Sequence, residues 1–110
     1  HIEDLTDLYL WMLELPWQTG IWNAGFENLT GLEIAAIVES HFIGMPIVES
    51  TSLDRRSYRM NSDKLLKAGF QLMHTVDDAV SELKTAHAKG QLPEDDKCHN
   101  LKTMRHLQVA

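Results

Sequence analysis

Asp54-Arg55-Arg56-Ser57-Tyr58-Arg59-Met60-Asn61-Ser62-Asp63-Lys64-Leu65-Leu66-Lys67-Ala68-Gly69-Phe70 sets a basic extended segment against a short helix. Asn61 is a capping residue type, and Gly69 stands where a helix commonly leaves through a left-handed residue, so a helix is predicted over residues 62 to 68. Ahead of it, Ser57 to Met60 reads as a strand, with Arg55 and Arg59 on one face and Arg56 on the other. Guanidinium forks donate paired hydrogen bonds to phosphate oxygens and stay charged, so this cluster suits an anionic ligand. A solvated surface cluster paired with Asp54, Asp63 or Glu49 is the competing reading, and on the residues alone it is the better supported.

Helices alternate with short apolar runs on either side of this stretch. Leu5, Leu8, Met12 and Leu15 recur at helical spacing over residues 4 to 15, with Glu3, Asp4 and Asp7 at the end where the helix dipole favours acids. Pro16 is the expected stop. Ile21-Trp22-Asn23-Ala24, between Gly20 and Gly25, reads as a buried strand, and Ile47-Val48 as a second. Between them Thr30 and Glu33 form a capping-box pattern ahead of Ile34, Ala35, Ile37, Val38 and Phe42, with Gly44 and Pro46 beyond. Thr75 caps a helix over residues 76 to 88, striped by Val76, Ala79, Val80, Leu83 and Ala86 and ended by Gly90 and Pro93. The fold class expected is therefore α/β. Its few strands would need a sheet completed by other residues, because a mean sheet has about five or six. Residues 1–93 form the expected structural segment, and 94–110 a polar tail with a weak helix around Leu101, Met104 and Leu107.

The chain has 110 residues, 44% of them hydrophobic, a net charge of −6 and a pI near 5.4. That acidity argues against sequence-independent nucleic-acid binding, which depends on clustered cations. A single cysteine, Cys98, rules out an internal disulfide and suits a reducing, cytoplasmic setting. No run of about 18 apolar residues is present to span a bilayer, so no membrane partner is expected. His1-Ile2 leads straight into the acidic opening of a helix, as in a chain that begins partway through a longer protein.

Other motifs favour structural roles. Gly25-Phe26-Glu27-Asn28-Leu29-Thr30-Gly31 lies where a phosphate-binding loop would, but Asn28 replaces its middle glycine, so an ordinary strand-to-helix turn is expected. Cys98-His99 with His106 offers three metal donors without the paired spacing of structural zinc sites, and no metal site is assigned. Cys98 reads as an inert thiol rather than a nucleophile. Asp77-Asp78 and Glu94-Asp95-Asp96 read as dipole complement and polar loop, and Trp11, Trp17 and Trp22 as core or an interface to other residues.

In collinear order over roughly residues 1 to 85, several segments resemble the C-terminal part of the nucleotide-sugar epimerases and dehydratases of the extended short-chain dehydrogenase/reductase superfamily. The residues that carry the resemblance are His1-Ile2-Glu3-Asp4-Leu5, Ile21-Trp22-Asn23-Ala24-Gly25, Asp54-Arg55-Arg56-Ser57-Tyr58-Arg59 through Lys64, Gly69-Phe70, and the helix from Thr75 to Leu83. It implies a Rossmann-type enzyme with most of its parallel sheet outside these residues. It also implies that the basic segment lies against the diphosphate of a nucleotide-diphospho-sugar, with Arg56 and Arg55 as phosphate clamps oriented by Asp54. Many members carry an Arg three residues before that acid, where Thr51 stands here, which throws the contact onto Arg55 or Arg56. NAD is expected only for a full-length protein. The glycine-rich loop is missing, and Leu13 and Ser62 occupy the places four residues after Tyr9 and Tyr58 where the family's catalytic Lys would stand. No catalytic residue is assigned, and these residues alone should not catalyse. The expected partners are the nucleotide-sugar, the Rossmann domain of the same protein and a second copy in a homodimer. The alternative is a non-enzymatic protein-interaction module derived from such a fold.

Overall fold

The computed structural model describes residues 1–15, 19–51, 57–92, 95 and 98–107. Five helices follow one another among them: α1 (Ile2–Glu14), α2 (Gly31–His41), α3 (Asp63–Lys67), α4 (Val76–Ala88) and α5 (Asn100–His106). Pro16, Trp17, Pro93, Glu94, Asp96 and Lys97 lie outside the described residues, and with them the stops and the charged positions of the tail assigned there.

The described residues contain no strand, which overturns the α/β expectation. The segments expected to be strands are irregular; at Ile21 and Met60 their backbone groups bond to side chains, Ile21 C=O accepting from Lys64 Nζ at 3.0 Å. Asn28 does the work of a ladder partner for Met60: its Oδ1 accepts from Met60 N–H at 2.8 Å and its Nδ2 donates to Met60 C=O at 3.0 Å. Asn23 Nδ2 donates to Asn61 C=O at 3.3 Å, and Ser62 Oγ accepts from Gly25 N–H and donates to Gly25 C=O, both at 2.9 Å. With these polar groups satisfied, nothing drives a sheet to form. Gly25 is required by this approach, since a Cβ there would lie 2.8 Å from Met60 Sδ and 3.2 Å from Met60 Cβ.

Helix boundaries follow the capping chemistry. Thr30 Oγ1 accepts from Glu33 N–H at 3.2 Å while Glu33 accepts from Thr30 N–H at 2.6 Å, which closes the box that opens α2. Thr75 and Asp78 do the same for α4, and Glu27 accepts from Val76 N–H, so a free amide in the first turn of α4 is capped from across the chain. At α3 the expected cap shifts by one residue. Ser62 is the N-cap position but its hydroxyl is committed to Gly25, and Asn61 Oδ1 accepts from Asp63 N–H at 2.8 Å.

Helix α3 closes as expected at Gly69, whose φ is 106°. Gly69 N–H donates to Leu66 C=O at 3.0 Å and Phe70 N–H to Leu65 C=O at 3.4 Å, the paired bonds of a Schellman stop. Such a stop brings the residue after the glycine back onto the last helical turn, and Leu65 and Phe70 are both buried here. They meet Leu8 of α1, and Trp11, Met12, Trp22, Phe26 and Leu72 close around them. Trp11 sets its edge to Phe70 and Phe26 stacks on it, with centroids 5.7 and 5.8 Å apart.

Among the described residues, the helices that pack along each other are α2 and α4. His41 Nε2 lies 2.8 Å from Asp77 Oδ1, and Lys84 Nζ donates to His41 C=O at 2.6 Å. Much apolar surface stays open: Tyr9, Leu10 and Leu13 of α1 are 67%, 56% and 78% exposed.

Ser62→Ala should lower stability by about 1–3 kcal/mol, because it strands the half-buried amide and carbonyl of Gly25 at once. Thr85→Ala, which removes one exposed hydroxyl on α4, should cost much less in the same urea titration.

Candidate functional site

Of the residues assigned to phosphate binding, Asp54, Arg55 and Arg56 all lie outside the described residues. Arg59, the third guanidinium of the cluster, is described and exposed, on the rim of a cavity of about 410 Å³ that it shares with Phe26, Asn28, Asn61 and Ser62. Its charge reaches Glu33, whose carboxyl is held below its ordinary value first by the Thr30 backbone and hydroxyl bonds and then by Arg59. The Gly25 to Gly31 loop is used internally. Glu27 caps α4, Asn28 clamps Met60 and Thr30 opens α2.

The second polar cluster was not foreseen from the sequence. Asp4, in the first turn of α1, is only 3% exposed, and its carboxylate accepts three bonds from the segment before α4. Met73 N–H donates to Oδ1 at 3.1 Å, His74 N–H to Oδ2 at 3.0 Å, and His74 Nδ1 lies 3.0 Å from Oδ1. On its other side His74 Nε2 is 3.1 Å from Glu3 Oε2. His1 stacks over the His74 ring with centroids 4.5 Å apart, its Nδ1 accepting from Glu3 N–H at 3.2 Å and its Nε2 lying 3.0 Å from Glu82 Oε2. A cavity of about 650 Å³ opens beside these groups, walled by His1, Asp4 and His74 and floored by Leu8, Phe26 and Leu72.

Burial alone would push the Asp4 carboxyl up. The His74 ring, the two backbone amides and the His74 charge outweigh it, so Asp4 sits below its ordinary 3.8. His74 is raised above 6.5, chiefly by its bond to Asp4, against a desolvation that opposes it, with further support from the charges of Asp4, Glu3 and Asp78. With a carboxylate at each ring nitrogen, the imidazolium satisfies both.

Cys98 is exposed, and among the described residues the donors that come together are those of His1, Glu3 and His74, not Cys98, His99 and His106. Spacing could not reveal this, because His1 and Glu3 stand some 70 positions before their partner. The one local hint is a His placed just ahead of the Thr75 cap. Asp77 and Asp78 stand in the first turn of α4, as expected, and there Asp78 also closes the capping box while Asp77 lies beside His41. Trp11 and Trp22 join the core, with Lys64 Nζ 4.0 Å over the Trp22 ring.

No protein-family model, curated protein or solved structure matches the chain. Among the described residues no helix is long and apolar enough to cross a membrane.

Asp4 stabilises the fold above about pH 3.8, and this contribution is lost as pH falls through its lowered folded value. The His74 contribution is complete below pH 6.5 and is lost as pH rises through its raised folded value. Urea midpoints measured across this range should therefore be highest between these limits, and His74→Gln should flatten the fall on the alkaline side. A midpoint that climbs steadily above pH 6.5 would contradict the assignment.

Proposed function

We propose that this chain is the substrate-binding segment of an NAD-dependent nucleotide-sugar epimerase or dehydratase. NAD and the catalytic residues belong to the rest of the protein. The reading rests on the ordered motifs from His1 to Leu83, and above all on Arg59, the one described guanidinium of the basic segment. Arg59 stands on the rim of a polar cavity, and the next residue, Met60, is fixed on both its amide and its carbonyl by Asn28. A cation-bearing segment anchored at one end beside amide donors suits a diphosphate, whose oxygens take bidentate guanidinium bonds. Arg56 and Arg55 clamp phosphate in this account, and Asp54 orients them.

The chain does not catalyse alone, because it supplies neither a glycine-rich NAD loop nor a Tyr/Lys acid/base pair. A cytoplasmic setting is part of the reading, on the strength of the single cysteine.

A second reading, a non-enzymatic interaction module, is favoured by the open apolar face of α1 at Tyr9, Leu10 and Leu13. The same face serves the first reading as the seam to the Rossmann domain or to a second copy.

Arg56→Ala in the full-length enzyme should weaken nucleotide-sugar binding about ten- to a hundredfold, as expected for a charged hydrogen bond to phosphate. Calorimetry that finds affinity unchanged would remove the clamp, and a full-length protein that binds no nucleotide-sugar would leave the interaction module.

A further inference from the structure

We propose that His1, Glu3 and His74 form a binding site for a divalent first-row transition metal, with Zn²⁺ the fitting ion. One donor atom from each lies within 4.8 Å of the others, close enough for one ion to reach all three after the His1 ring turns. His74 Nε2 and Glu3 Oε2 are 3.1 Å apart. Bonds of about 2.0–2.1 Å in a tetrahedron separate neighbouring ligand atoms by about 3.3 Å, so these two already stand at ligand spacing.

The arrangement behind the donors matters more than their proximity. Metal-binding imidazoles almost always donate their other ring N–H to a carboxylate or carbonyl, which fixes the tautomer and the ring. His74 has that support in Asp4, a buried carboxylate itself held by the Met73 and His74 amides, so that the ion replaces the proton Nε2 shares with Glu3. His1 has a matching support in Glu82, 3.0 Å from its Nε2, which leaves Nδ1 as the donor to the ion. Two histidines, each backed by its own carboxylate, and a third carboxylate between them make a nitrogen and oxygen donor set suited to Zn²⁺.

Without the ion, the His1 ring lies stacked on His74 and Nδ1 accepts from Glu3 N–H. Stacked rings cannot both aim lone pairs at one point. Binding therefore turns the His1 ring out of the stack about its Nε2 to Glu82 contact and releases the Glu3 amide to solvent. Water completes the tetrahedron.

The test is a Zn²⁺ titration of the untagged chain labelled with ¹⁵N, followed through the histidine ring nitrogens. One equivalent should shift His1 and His74 and leave His99 and His106 in place. Glu3→Gln, an exposed change that should leave the circular dichroism spectrum intact, should weaken Zn²⁺ binding by about ten- to a hundredfold. Unmoved His1 and His74 resonances would overturn the site. So would binding that survives Glu3→Gln but is lost with Cys98→Ser, which would place the ion at Cys98, His99 and His106.

Discussion

A carboxylate buried at the start of the first helix is the constraint around which the described residues arrange themselves. Asp4 cannot sit 3% exposed without donors, and nothing in its own helix supplies them. The Met73 and His74 amides and the His74 ring do. This draws the segment ahead of α4 against the first turn of α1, one turn from Leu8, which meets Leu65 and Phe70. The position of α4 is thus set at its N-terminal end by Asp4 through residues 73 and 74, and by Glu27 at Val76. Helix α2 then lies on it.

The capping residues were legible in the sequence and the strands were not. Thr30 with Glu33, Thr75 and Gly69 act on neighbours within a few positions, so the chain itself carries the whole of each signal. Ile21 to Ala24 and Ser57 to Met60 carry strand-like composition, but composition does not say what their backbone will bond to. Asn28 and Ser62 settled that by offering side-chain partners 32 and 37 positions away. Asn61 shows the same limit on a smaller scale: its chemistry was read correctly, yet the register moved once Ser62 was engaged by Gly25.

The two polar regions differ in how much of them a linear reading can hold. The arginine cluster is contiguous and visible as a string, with Arg59 and Met60 its described end. The His1, Glu3, Asp4, His74 and Glu82 group exists only once the chain is folded, and each member alone reads as a helix-end residue or, for Glu82, a mid-helix surface acid. Between these regions lies a small apolar core, while Tyr9, Leu10 and Leu13 of α1 stay open.

Amide hydrogen exchange at Met73 and His74 reads the central tie directly, because no helix protects either group and Asp4 is the acceptor of both. Both amides should exchange slowly in the native chain, slower than the neighbouring Gln71, and Asp4→Ala should release them together. Exchange at unprotected rates in the native chain, or protection that survives Asp4→Ala, would contradict the account.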